Sequence, residues 1–233
     1  MSEALEKVRG VRELPLFPLP LVLFPGVPLP LHIFEPRYRE MLEDVQAKNN
    51  MFGVSYFEAG ETGDEHPPSG HVGCVAEVVE VQTMRDGRSN IMTLGVARYR
   101  VESYVETGEP YLVGRVEFFE DEPEDDELLN ARAREVLNLF VRIANSVRVL
   151  NDERGSLPEI PEASPERLSF LVASAMEIDA GVKQEMLELR LSSERLGRLQ
   201  GLLAQVVGGY EERARMHTIG KGNGHGGKKI NFS

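Results

Sequence analysis

LPLFPLPLVLFPGVPLPLHIF, residues 14–34, carries no acidic or basic side chain apart from His32, yet Pro15, Pro18, Pro20, Pro25, Pro28, Pro30 and Gly26 interrupt it. In length and apolarity it matches a membrane span, which needs about 20 apolar residues. The prolines exclude that reading, because each removes a backbone donor and pushes the residue before it into extended geometry. A secretory leader is excluded too: residues 1–13 mix Glu3, Glu6 and Glu13 with Lys7 and Arg9, and no small-residue cleavage site follows. What remains is extended chain, a turn at Phe24-Pro25-Gly26, and extended chain again. So apolar a stretch has to be buried in a core or against a partner.

The rest of the composition is that of a folded protein. At 233 residues, with 41% hydrophobic and 27% charged side chains, the chain supports one large or two smaller cores. Its formal charge of −12 repels a phosphate backbone and speaks against nucleic acid as a partner. Arg213, Arg215, Lys221, Lys228 and Lys229 are the only charged residues after Glu212, so the last segment carries +5 and residues 1–212 carry −17. Cys74 is the only cysteine, which rules out an internal disulfide and a thiolate metal cluster and fits a reducing cytoplasm.

Downstream, the period of the apolar residues changes twice. Residues 35–48 place Tyr38, Met41, Leu42 and Val45 at helical spacing behind Pro36, and residues 51–57 read as a strand. Residues 58–70 form a loop rich in Gly, Pro and acid. Residues 71–106 alternate on both sides of Asp86-Gly87, the signature of a hairpin with a two-residue turn, and 111–119 add a strand. Between 117 and 127 stand eight acidic residues, read as a self-repelling, solvated linker over 121–127. Helices follow over 128–150, with Val136, Phe140, Ala144 and Val147 as a stripe; after Ser164, with Leu168, Leu171, Val172 and Ala175; over 182–189; and from Ser192 or Ser193 through Tyr210. From Gly220 the chain is too glycine-rich and polar to pack.

No catalytic or metal constellation emerges. GNGHGGKK at 222–229 approximates a phosphate-binding loop, but Lys229 stands where the Mg²⁺-ligating hydroxyl belongs and no helix can follow. The five histidines share no ligand spacing, Cys74 sits mid-strand as a small buried hydrophobe, and neither G-x-S-x-G nor H-E-x-x-H occurs. No catalytic residue, cofactor or metal is therefore expected.

A resemblance rests on two groups of motifs. Leu14-Pro15-Leu16-Phe17-Pro18, Val22-Leu23-Phe24-Pro25-Gly26, Pro28-Leu29 and Phe34-Glu35-Pro36-Arg37-Tyr38 resemble the opening of the Lon protease N-terminal domain, the LON substrate-binding domain. Val72-Gly73-Cys74-Val75-Ala76-Glu77-Val78 and Gly95-Val96-Ala97-Arg98-Tyr99-Arg100-Val101 resemble that domain's paired strand motifs, with Cys74 where the family more often has threonine. The resemblance implies an α+β fold: a PUA-like β-barrel of about six strands with a packed helix, then a C-terminal α-helical bundle. It also implies Pro25, Gly26, Gly73 and Gly95 as structural motif positions.

The expected organisation is an N-terminal extension (1–10), the β domain (11–120), the acidic linker (121–127), the helical bundle (128–216) and a flexible tail (217–233). The expected function is a stand-alone form without the family's ATPase and protease domains: a non-catalytic, cytoplasmic protein that binds a polypeptide or protein partner, an adaptor in protein quality control or Lon-like proteolysis, touching neither membrane nor nucleic acid. Leu21, Val22, Phe24 and Val27 are the candidate binding residues, because a proline-stiffened loop leaves apolar surface exposed and a strand edge can accept an extended client. The rival expectation is a small-molecule-binding protein or enzyme using a cleft between barrel and bundle, through Glu35, Arg37, Tyr38 and Arg98.

Overall fold

A computed structural model describes residues 2–58, 66–153, 155 and 162–223. They belong to two compact units, Met1–Pro123 with Phe170–Leu191, and Glu124–Ser169 with Ser192–Ser233.

The first unit holds the strands β1 (Glu13–Leu19), β2 (Pro28–Ile33), β3 (Met51–Tyr56), β4 (Val72–Thr83), β5 (Ser89–Tyr104) and β6 (Leu112–Phe119). They form one six-stranded sheet in the order β2-β5-β4-β3-β1-β6. Because β5 also pairs with β6, the five strands β5, β4, β3, β1 and β6 close into a ring. β2 is attached only to the first half of β5. The expected α+β fold, about six strands in a barrel followed by helices, is thus the observed architecture, with five of the six strands closing the ring and β2 beside it. β1 and β2, neighbours in sequence, do not pair with each other: β1 runs parallel to β3 and antiparallel to β6.

Strand alternation sends side chains to two cores. On β3, Phe52 and Val54 join one cluster with Cys74, Ala76 and Val78 of β4 and with Tyr38, Met41, Leu42 and Val45 of α2 (Pro36–Gln46). Met51 and Val75 point the other way, into a cluster with Leu14, Leu16, Tyr99 and Val101. Tyr99 explains two glycines, since a Cβ on Gly53 or Gly73 would run into its ring. Its hydroxyl shares a 2.7 Å hydrogen bond with Ser55 Oγ, and burial drives its phenol far above the ordinary range. The N-terminal extension contributes a short helix, α1 (Glu3–Lys7), capped by Ser2 Oγ accepting from Leu5 N–H at 3.2 Å.

The β4–β5 turn differs from expectation. Met84 N–H donates to Arg88 O at 2.7 Å and Gly87 has φ +80°, so Arg85, Asp86 and Gly87 form a three-residue loop that ends in a left-handed glycine. A two-residue type I′ turn needs positive φ at both central positions and type II′ at the first, and Asp86 does not adopt it.

The helical segment is divided. Phe170 to Leu191, expected in the bundle, belong with the strands. They comprise the end of α4 (Pro165–Ala175) and all of α5 (Ala180–Glu188). Phe170 packs its ring 5.8 Å from that of Phe24, and Gln184 Nε2 donates to Val72 O at 2.9 Å. In the second unit, α3 (Asp126–Leu150) lies along α6 (Ser192–Asn223). Arg132 reaches Ser193 O, Gln200 reaches Glu135, and Arg142 grips Glu211 at 2.8 and 3.0 Å, so the contacts climb both helices together and the two run parallel. Their buried stripes are Leu129, Ala133 and Val136 on α3 and Leu196, Leu199, Leu203, Val207 and Ala214 on α6; Phe140, Ala144 and Val147 are only half-buried. The tail expected from 217 is helical as far as Asn223; residues 224–233, with Lys228 and Lys229, lie outside the described residues. A helix propagates at little cost once nucleated, which carries α6 past Gly220.

The acidic linker also has structural duties. Asp121 is an ion-pair partner with only 7% of its side chain exposed. Glu124 Oε2 accepts Ser193 N–H at 3.0 Å, and Asp125 caps α3 by accepting from Glu127 N–H and Leu128 N–H. Carboxylates beside helix N-termini meet free amide donors and the positive end of the dipole, so proximity to helix starts outweighs mutual repulsion.

Candidate functional site

The proline-rich stretch divides by exposure. Phe24 is fully buried, with the Phe170 ring tilted against it, which removes it from the accessible surface and corrects its expected place at a binding patch. Leu21, Val22 and Val27 are half-buried, and Leu21 and Val27 pack against the α2-side core. Phe24 to Val27 make a type II turn: Val27 N–H donates to Phe24 O at 3.2 Å, Pro25 leads, and Gly26 takes φ +75°. The turn is fastened to β5 by Gly26 N–H to Gly95 O at 2.8 Å and Gly95 N–H to Val27 O at 2.9 Å. A Cβ on Gly95 would strike the Phe24 carbonyl, so Pro25, Gly26 and Gly95 act together.

The open edge of β2 is a poor template for a further strand. Continuing the pairing parity from Val27 and Gly95, residues 29, 31 and 33 face β5 and residues 28, 30 and 32 face outward. Two of those three are prolines, so His32 supplies the only outward N–H. On the solvent face Pro28, Pro30 and His32 stand opposite Leu94, Met92 and Asn90 of β5, with His32 Nδ1 2.7 Å from Asn90 Oδ1 and Phe34 58% exposed.

Arg98, a candidate for the rival function, is occupied structurally. It is 2% exposed, pairs with Asp121 at 2.5 Å and donates to the carbonyls of Leu187 at 3.0 Å and Leu189 at 2.5 Å. Its guanidinium lies 4.6 Å from the Phe119 ring and 5.3 Å from that of Phe170. A buried cation needs this degree of pairing, and here it ties β5 to the C-terminal end of α5. Cys74 is fully buried and its thiol is pushed up to about 12, far from a nucleophile's range. Among the described residues no group of three or more His, Cys, Asp or Glu is arranged to hold a metal, and no helix is long and apolar enough to cross a membrane.

The other three rival candidates, Glu35, Arg37 and Tyr38, sit at the start of α2, and two of them border a groove. Pro18 near the end of β1, Pro20 just after it, Tyr38 from α2, Phe57 after β3 and Tyr111 and Leu112 at the start of β6 wall a depression of about 880 Å³. A second of about 430 Å³ shares its Tyr111 end. The walls are fixed in place. Phe17 lies behind Tyr38 with ring centroids 4.0 Å apart, Phe57 N–H donates to Leu19 O at 2.9 Å, and Tyr111 donates its hydroxyl to Asp44 Oδ2 at 2.5 Å. Burial, with the Asp44 carboxylate, holds the Tyr111 phenol well above its usual range. Arg37 bonds Glu35 at 3.0 Å while lying 4.5 Å from the Tyr38 ring centre. No described lining residue is a serine, threonine or cysteine; Arg37 is tied to Glu35 and Tyr111 to Asp44, while the Glu58 and Glu109 carboxylates carry no salt bridge to a described residue. The arrangement suits an apolar guest held by ready-made prolines and rings. Sequence reading placed Pro18, Pro20 and Tyr38 in the fold but missed Phe57 and Tyr111 as walls; the aromatic beside a loop at each position was the available signal.

Comparison with known proteins agrees with this architecture. The family described as the ATP-dependent protease La (LON) substrate-binding domain matches residues 13–205. The chain is 29% identical over 192 residues to a Lon protease of Parabacteroides distasonis, covering 73% of this chain and 23% of that protein. To Lon protease 2 of Herpetosiphon aurantiacus it is 28% identical over 199 residues, covering 84% and 24%. The chain thus spans about a quarter of the length of these relatives. Among solved structures, the N-terminal domain of Mycobacterium avium complex Lon protease superposes with a TM-score of 0.63 at 16% identity, over 83% of this chain and 98% of that one. A Lon N-terminal domain protein from Xanthomonas campestris gives 0.56 at 22% identity, over 82% and 98%. From Glu13 through Gln205 the sequence match and the fold coincide, and the chain belongs to the Lon substrate-binding domain family.

Proposed function

We propose that this chain binds extended, apolar segments of polypeptide in the groove beside Pro18 and Pro20, and that it does so without catalysis, as an adaptor in cytoplasmic protein quality control. The observation that carries this reading is the groove itself: concave, walled by proline and aromatic side chains that are already immobilised, and lacking a convergent set of reactive groups. Prolines and ordered rings lose little further entropy when a guest arrives, so even a shallow groove can hold a chain. The family's description as a substrate-binding domain supports the same class of ligand. The acidic charge disfavours nucleic acid, and the lone buried cysteine suits a reducing compartment.

A permanently unfolded, carboxymethylated polypeptide carrying a fluorophore tests the proposal by anisotropy. Saturable binding is expected, weakened at least tenfold in Pro20→Asp plus Phe57→Ser and unchanged in Leu128→Ser, an exposed position on α3. Both variants are first checked for an unaltered circular dichroism spectrum. Binding that never saturates, or that survives the groove variant intact, sinks the reading.

A further inference from the structure

We infer that the groove selects cationic segments: its guest is an extended peptide whose apolar side chains lie on the proline and aromatic walls and whose lysine or arginine faces Glu58 and Glu109. The inference rests on the polypeptide-binding reading above. It is carried by an imbalance of charge around the groove. The cation of the main depression is Arg37, which is paired with Glu35 at 2.9 Å and turned over Tyr38. Glu58 and Glu109 line the same depression, and Glu106 lines the adjoining one. All three are exposed, and none is salt-bridged to a described residue; Glu58 accepts only a hydrogen bond from Tyr56 Oη at 3.1 Å. Asp44 stands behind Tyr111 and adds to the negative field while its own oxygen is taken by the phenol. His66, the remaining titratable lining residue, has Nδ1 2.9 Å from Pro67 O and its ring against Tyr104 at 4.0 Å.

Exposed carboxylates beside a low-dielectric wall attract a cation over several ångströms, and a guest's lysine or arginine stem lies on apolar surface while its head reaches them. The same field repels an acidic segment, so discrimination comes from repulsion as well as attraction. Phosphate chains and anionic lipid are excluded by the same charges.

Three fluorescent peptides of equal length test it on the full chain: a Leu/Phe peptide with two lysines, the same peptide with two serines, and the same with two glutamates. At low salt the lysine peptide is expected to bind at least tenfold more tightly than the glutamate peptide, the serine peptide falling between, with the ratio shrinking as salt is raised. Glu58→Lys plus Glu109→Lys should invert that order while leaving the serine peptide within twofold. Glu102→Lys plus Glu177→Lys, the same charge change at exposed positions outside the groove, should leave the ratio unchanged. Equal affinities for the three peptides, or a ratio that the groove reversal leaves in place, overturn the charge selection alone. If none of the peptides saturates, the polypeptide-binding reading falls with it. If both reversals act equally, the selectivity belongs to net charge and not to this groove, and the inference is lost.

Discussion

β1 and β2 are written in almost the same alphabet, ELPLFPL and PLPLHI, yet one is built into the ring and the other hangs from its side. A strand interior to a sheet should not contain proline. β1 keeps two because it pairs on one side at a time: Glu13 to Leu16 lie against β6, and Leu16 to Leu19 against β3. Only Leu16 has partners on both sides, so Pro15 and Pro18 each face a single neighbour. β2 meets the same constraint by having one neighbour throughout and turning its proline nitrogens outward. Proline therefore specifies one-sided pairing in both strands, and what differs is which side chains the pairing buries. Leu14, Leu16 and Phe17 vanish into the two cores, whereas Leu29 and Leu31 are half-buried.

The contrast is open to attack first at Leu16, which is 1% exposed and would be touched by a Cβ on either Gly53 or Gly114. Leu16→Ala should cost about 2–5 kcal/mol, since two backbones held apart by glycines cannot collapse onto the void. Leu29→Ala on β2 should cost less than half of that. Urea unfolding followed by circular dichroism measures both, the chain having no tryptophan. Equal losses would mean that β2 is as integral to the ring as β1.

A second test uses Cys74, which lies under the connection between the two strands, close to where a Cβ on Gly95 would meet both its sulfur and the Phe24 carbonyl. Its thiol is raised from the ordinary 9.0 to about 12 by burial. In the unfolded chain it ionises first, so the unfolded state binds fewer protons between those values. The stability is complete below about pH 9 and falls as pH rises toward 12, by about 1.4 kcal/mol per pH unit for this one group. Cys74→Thr should remove that share of the alkaline slope, leaving the part due to Tyr38, Tyr99, Tyr104 and Tyr111, whose phenols burial also raises. At pH 8 the native thiol should resist Ellman's reagent. Rapid labelling of the native protein would show that the turn over β5 opens readily.

Much of this was legible locally. Alternation located β3 to β6, prolines and Gly26 located the turn, and three-four spacing located α2 and the buried stripe of α6. What could not be read were the partners. Asp121 looked like one of eight solvated acids because nothing nearby in sequence announces Arg98. Phe24 looked exposed because its covering ring, Phe170, comes from a helix assigned by periodicity to the bundle. The groove combines Pro18, Tyr38, Phe57 and Tyr111 from four separate segments, each of which has a local reason to be where it is. Local signals encode element type; long-range pairing decides exposure, and exposure decides what can bind.

The smallest expected effect on stability is the most direct test of what the β2 prolines do. Pro30 is exposed, and its ring nitrogen points away from β5, so Pro30→Thr removes no hydrogen bond and buries nothing new. The unfolding midpoint should move by no more than about 0.5 kcal/mol in free energy. The variant does, however, place an N–H beside that of His32 on an edge that otherwise offers acceptors with a single donor. Two outward donors with the intervening carbonyls make a template for another strand, so light scattering during size-exclusion chromatography should detect self-association that the parent chain lacks at the same concentration. A matching change on β1, Pro18→Thr, should not produce it, because that segment is already covered by β3 on its bonded side and its neighbours Leu16 and Phe17 are held in the cores. Association by both variants, or by neither, would mean that proline placement does not guard the edge, and the different exposure of the two strands would then need another cause.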